Sequence, residues 1–115
     1  MNSTTERGRR GEQLAAAHLT AHGWKIVQKN FRGRRGEVDI VAVQDNVIAF
    51  VEVKSWNTLA RDSLEHGIPR AKLRRIVGAS REFLLQNPVF DGYRPQYDVV
   101  FVSPERVEHF RNVIE

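Results

Sequence analysis

Residues 36–55 read GEVDIVAVQDNVIAFVEVKS. Two Val/Ile-rich runs, Glu37 to Val43 and Val47 to Ser55, flank the turn signal Gln44-Asp45-Asn46, so the stretch reads as a β-hairpin. Strand side chains alternate between faces. Glu37 and Asp39 therefore share a face opposite Val38 and Ile40, and Glu52 and Lys54 share one opposite Val51 and Val53. Folded about Asp45-Asn46, the hairpin sets Asp39 opposite Glu52 and Glu37 opposite Lys54; a bulge or a three-residue loop would shift that register. Opposed side chains have Cβ atoms ~5 Å apart, where like charges destabilise. The remaining hairpin positions are almost wholly apolar, which implies burial on both faces.

Outward from the hairpin, Thr4 to His22 reads as a helix. Ser3-Thr4-Thr5-Glu6 fits a capping box and Gly23 fits the position that stops the helix. Gly8, Glu12, Ala15, Ala16 and Leu19 fall on one face. Trp24 to Phe31 reads as a strand with Trp24, Ile26 and Gln28 on one side and Val27 on the other. Arg32-Gly33-Arg34-Arg35-Gly36 is a basic, Gly-rich loop. Residues 55–68 read as a loop. Pro69 suits the first turn of a helix, along which Leu73, Ile76, Val77, Ser80, Phe83 and Leu84 repeat with helical spacing to about Asn87. Gln96 to Val102 is another apolar strand, and Val107 to Ile114 reads as a short one. The order α-β-β-β-α-β, with one further strand, makes an α/β (α+β) domain: one mixed sheet flanked by helices.

The 115 residues suffice for a single domain, 1–115, with one modest core. Fourteen valines favour a sheet at its centre. With no cysteine, disulfides and zinc-thiolate sites are excluded and a reducing cytoplasm is favoured. The N-terminal residues lack the apolar core of a signal peptide. No apolar run approaches the ~18 residues that span a bilayer. Eighteen basic against fourteen acidic residues give a net charge of +4, and fourteen of the bases are Arg. Residues 1–35 hold eight bases, six of them Arg and including Arg9, Arg10, Arg32, Arg34 and Arg35, against two acids. An Arg-rich basic domain points to a polyanion, nucleic acid first.

Two carboxylates facing each other between apolar strands need a reason to be there. A hard divalent cation supplies one, since Mg²⁺ takes oxygen ligands and is held by one or two carboxylates. The plainer account is a Glu37–Lys54 ion pair with Asp39 paired to an arginine. Glu12 lies on the buried stripe of the first helix; it suits a ligand role or a pairing with Arg9 or His18. Lys72, at the edge of the second helix's apolar stripe, either reaches a phosphate or snorkels at the surface. Arg32, Arg34 and Arg35 precede the acidic strand in a loop that could track a phosphate backbone. Arg70, Arg74, Arg75 and Arg81 on the second helix offer a second basic face. Trp56 is a stacking platform or a core cap. His18, His22, His66 and His109 show no ligand spacing.

Asp39 followed by Glu52-Val53-Lys54 on the next strand resembles the D…ExK signature of restriction-endonuclease-like nucleases, the PD-(D/E)xK superfamily. Over nearly the full length the chain resembles the bacterial YraN family, which lacks an established general function. The matching pieces are Gly11-Glu12, Asn30-Phe31-Arg32, Gly36-Glu37-Val38-Asp39, Phe50-Val51-Glu52-Val53-Lys54, Lys72 and Asp98. That family is similar in turn to the archaeal Holliday-junction resolvases. The resemblance implies a restriction-endonuclease-like core in which Asp39 and Glu52 ligate Mg²⁺ or Mn²⁺, with the Val53 carbonyl as an added ligand and Glu12 approaching from the helix as a further metal ligand or a base. It gives Lys54 the task of orienting the attacking water. Many superfamily members carry Pro before the Asp, where this chain has Val38; Pro is not a ligand.

Two functions follow. One is a Mg²⁺-dependent nuclease acting on structured or single-stranded nucleic acid, DNA favoured, with Arg9, Arg10, Arg32, Arg34, Arg35 and Lys72 on the nucleic acid. The other is a binding module with a weak or silent site in a repair or processing complex. Assembly as a homodimer is compatible with either.

Overall fold

The computed structural model describes the backbone of residues 3–55 and 70–114, and the side chains of residues 8–55 and 70–114. The proposed capping box, Trp56, Pro69 and the 55–68 loop beyond Ser55 lie outside the described side chains. Helix α1 spans Ser3–Ala21 and α2 spans Arg70–Gln86. Five strands, β1 Lys25–Arg32, β2 Glu37–Gln44, β3 Val47–Ser55, β4 Arg94–Val102 and β5 Val107–Phe110, form one sheet in chain order. All neighbours are antiparallel except β3 and β4, which run parallel. A parallel pair needs a crossover, and α2 lies in it. The architecture is α+β with a mixed sheet between two helices, consistent with a restriction-endonuclease-like core.

The helices cover opposite faces. Ala15, Ala16 and Leu19 of α1 pack on Ile40, Ala42, Ala49, Val51 and Val100. Ile76, Ala79 and Phe83 of α2 pack on Val38, Val41, Ile48 and Phe50. With both faces covered, β2 and β3 are nearly continuous apolar runs, as expected. Gly11 lets α1 approach the end of β3: a Cβ there would lie 2.6 Å from Ser55 Oγ. Trp24 and Ile26 pack on the α1 side and Val27 on the α2 side, as the alternation predicts. The β1–β2 register shifts between Ile26 and Gln28.

Several expectations need correction. The buried stripe of α2 is Ile76, Gly78, Ala79, Ser80 and Phe83. Leu73 and Val77 are only half-buried; both lie toward the outer flank of the helix. The last strand stops at Phe110. A single 3-10 turn, Pro88–Phe90, precedes β4, which begins at Arg94. Val38 and Ile40 pack on opposite faces of the sheet, so the alternation breaks at Asp39.

Candidate active site

The expected hairpin register holds from Gln44↔Val47 to Ile40↔Val51, where the ladder ends. Beyond that point β2 stays with β1, pairing Val38 with Phe31 and Glu37 with Arg32. β3 stays with β4 through Ser55↔Val102. The sheet forks, and Asp39 stands in the fork. Its Oδ2 accepts the Val53 N–H at 2.8 Å, supplying a bond that the interrupted ladder does not. Asp39 and Glu52 are therefore neighbours across a fork rather than an opposed pair in the ladder. Glu37 does not meet Lys54; it pairs with Arg32 at 3.3 Å, in the open.

The fork opens into a cleft of about 490 Å³ lined by Asp39, Glu52, Lys72, Arg75, Arg32 and Glu37, among others. Alternation along β3 turns Glu52 and Lys54 toward the α2 side. Lys72 reaches Glu52 Oε1 at 2.5 Å, and Lys54 lies 3.7 Å from the same oxygen. Lys72 thus belongs to the site instead of snorkelling away. Glu52 is 11% exposed, so both contacts form in a poorly hydrated place, where Coulomb terms are stronger than at a surface.

Burial, and then the charge of Glu52, push the Asp39 carboxyl up to about 7. The Val53 N–H works against the rise, and Glu12 and Glu37 add to it. Burial lowers the Lys54 pKa, and the neighbouring Lys72 lowers it further. Burial also opposes charge on Lys72, but the bonds to Glu52 and Lys54 outweigh it and its pKa ends above the usual value. Perturbed groups gathered in a cleft are a functional-site signature with a physical cause.

Glu12, half-buried on α1, is near enough for its charge to raise Asp39. Among the described residues no three His, Cys, Asp or Glu side chains are gathered tightly enough to hold a metal ion. The pair Asp39 and Glu52 can still fit one. Mg²⁺ commonly takes only one or two carboxylates and fills its remaining positions with waters and phosphate oxygens. Both acids offer hard oxygen donors at an open cleft. Asp39's raised pKa reflects burial first and then the charge of Glu52, and a cation would offset the second.

The Arg32–Gly36 loop lies on α2. Arg34 N–H donates to Glu82 Oε2 at 2.7 Å. A Cβ at Gly33 would collide with Glu82, and one at Gly36 would lie 2.9 Å from the Arg75 carbonyl oxygen. Two glycines let the loop sit directly on the helix. Arg32 lines the cleft, while Arg34 lines a separate concavity with Glu82 and Leu85. Arg9 and Arg10 are exposed on α1 and are not among the cleft's lining residues. Arg75 in the cleft and Glu82 beneath the loop were not singled out as cleft-lining or loop-anchoring residues from sequence. Arg75 could have been, since it stands three residues after Lys72 and so near it on the helix surface.

Asp98 plays a different part. Its side chain is fully buried. It accepts from Gln96 Nε2 at 3.0 Å to both oxygens and from the Asn112 N–H at 2.9 Å, and His109 Nε2 lies 2.7 Å from Oδ2. It ties β4, β5 and the residues after β5 together, far in role from the cleft.

The model of an uncharacterised protein family, UPF0102, matches residues 11–102. The chain belongs to that family. UPF0102 proteins of Sulfurihydrogenibium sp., Dichelobacter nodosus and Syntrophus aciditrophicus are 36%, 37% and 40% identical to it. These matches cover 94%, 97% and 100% of this chain and 93%, 91% and 93% of the relatives. The match spans α1 from Gly11 through the end of β4, and so includes Glu12, the fork, α2 and Asp98. Among the described residues no helix is long and apolar enough to cross a membrane.

Proposed function

We propose that this UPF0102 protein is a divalent-cation-dependent nuclease that hydrolyses phosphodiesters in structured or single-stranded nucleic acid, DNA favoured. The restriction-endonuclease-like superfamily, and the resemblance to Holliday-junction resolvases within it, belong to this reading. The observation that carries it is the fork: Asp39 and Glu52 are held together in a cleft with two lysines, and Asp39 is left with a pKa of about 7. Asp39 and Glu52 would hold Mg²⁺ or Mn²⁺, with Glu12 approaching from α1. The cation, when bound, supplies charge stabilisation at the phosphate and acidifies water. Lys54, with its lowered pKa, orients the attacking water and receives charge developing on the phosphate. Lys72 and Arg75 bind the phosphate flanking the reacting one. Arg32 leads the backbone toward the cleft.

A second reading rests on one observation: Lys72 and Lys54 already neutralise Glu52. A site balanced by its own lysines suits a nucleic-acid-binding module that cuts nothing. A cleavage assay separates the two. The parent should cut a branched or single-stranded DNA in Mg²⁺ or Mn²⁺, EDTA should stop it, and Glu52→Gln should abolish it. Absence of cleavage across branched DNA, single-stranded DNA and RNA leaves the binding module.

A further inference from the structure

A further concavity, of about 370 Å³ and distinct from the one beside Arg34 and Glu82, lies on the outer side of α2, lined by Arg35, Leu73, Arg74, Val77, Gly78 and Arg81. None of these six residues lines the Asp39–Glu52 cleft. Its floor is aliphatic, from the half-buried Leu73 and Val77. Arg74 and Arg81 stand exposed above it, two helical turns or roughly 10 Å apart along the axis. The third arginine comes from the loop. The stem of Arg35 lies on Gly78, where a Cβ would approach Arg35 Cβ and Cδ to 3.0 Å. The concavity therefore depends on a residue without a side chain in mid-helix, and on a loop whose neighbouring Arg34 N–H is held by Glu82.

Three arginines around an aliphatic floor select among polyanions. The side of a duplex presents phosphates and sugars and keeps its bases stacked inside. An unpaired nucleotide exposes a flat apolar base, which can lie on Leu73 and Val77 and against a guanidinium plane while flanking phosphates meet the arginines. We infer that this groove binds an unpaired strand of nucleic acid. The protein's ligand then carries a single-stranded arm, which the Arg32–Gly36 loop links to the cleft: Arg32 faces one site and Arg35 the other. The inference rests on the nucleic-acid side of the proposed function and deepens it, from structured or single-stranded nucleic acid to a ligand whose unpaired strand has its own site on α2.

The test is fluorescence anisotropy in EDTA, so that no cleavage is needed, with a labelled single-stranded oligonucleotide and the same sequence as a blunt duplex. Arg74→Ala with Arg81→Ala removes two exposed side chains and puts good helix formers in their place, so the variant folds. It should bind the single strand about tenfold more weakly at ~50 mM salt, with a salt slope shallower by ~1.4 for two lost phosphate contacts. Duplex affinity should change less than threefold. Val77→Thr, which keeps every charge and makes the floor polar, should weaken the single strand two- to fivefold and leave the duplex unchanged. Equal losses on both ligands, no loss on either, or a parent that binds neither would overturn the inference. A parent that binds in this manner but cuts nothing under any metal would overturn the nuclease reading and leave this one standing.

Discussion

Two aspartates lie within the sheet, Asp98 on β4 and Asp39 on β2, and they are treated in opposite ways. Asp98 is surrounded by donors from Gln96, His109 and the Asn112 backbone. Asp39 has the Val53 N–H and, facing it, the charge of Glu52. The first arrangement gives each carboxylate oxygen two contacts, one from Gln96 on its own strand and one from β5 or the residues after it. The second leaves a carboxyl with a pKa near 7 beside an open cleft. A buried acid whose partners are complete is part of the fold, and one whose partners are incomplete is part of a site.

The largest effect should come from the satisfied acid. Asp98→Ala strands the Gln96 amide, the His109 ring and a backbone N–H, and should cost about 3–5 kcal/mol in urea unfolding. A loss under ~1 kcal/mol would mean that Asp98 does not hold β5, and the contrast would collapse from that side.

Next in size is Lys54. Lys54→Ala should lower the single-turnover cleavage rate ~10²-fold, the scale of one electrostatic stabiliser, while nucleic-acid affinity stays within a few-fold. Lys54→Arg should not restore it, since a planar fork does not replace a compact ammonium. Undiminished cleavage would reduce Lys54 to a partner of Glu52.

Asp39 should behave in the reverse sense to Asp98. Its folded pKa, about 7, exceeds the ordinary unfolded value of ~3.9. Its favourable contribution is therefore complete below pH ~4 and is lost as pH rises through about 7. Without divalent cations, Asp39→Asn should be more stable than the parent at pH 8, on the order of 2 kcal/mol, and the gain should vanish by pH 4. An amide oxygen can still accept the Val53 N–H, so the backbone bond survives. A variant less stable than the parent at pH 8 would place Asp39 with Asp98, among structural acids.

The smallest effect belongs to the loop. Replacing Arg32, Arg34 and Arg35 by Ala should flatten the salt dependence of single-strand binding by up to ~2, about 0.7 per lost phosphate contact. An unchanged slope would move the footprint entirely to α2.

The hairpin was legible because Val and Ile runs around Asp45-Asn46 admit little else, and Asp45 takes a left-handed φ of 54° at the turn. The pairing of acids was legible only in part. Sequence alternation carries the register to Ile40, but nothing local says that β3 will follow β4 while β2 follows β1. That choice depends on a parallel partner some forty residues later. Lys72 was visible as a candidate, yet its contact with Glu52 depends on the angle at which α2 crosses the sheet. The hydrogen bonds around Asp98 were invisible, because His109 reaches it from β5 and Asn112 from beyond the strand's end, within a stretch that reads in sequence as one strand to Ile114. Glu82 gave no signal either: a glutamate on a helix announces nothing until the loop of Gly33 and Gly36 is laid on it.

The central claim is that Asp39 and Glu52 are held together for a cation. Calorimetric titration of Mn²⁺ into the parent, Asp39→Asn, Glu52→Gln and Asp98→Asn, at pH 7.5, tests it most directly. The parent should bind one ion, the two cleft variants should lose that site or weaken it at least tenfold, and folded Asp98→Asn should bind as the parent does. Equal binding by the parent and both cleft variants, or no binding by the parent with nucleic acid present, would contradict the account.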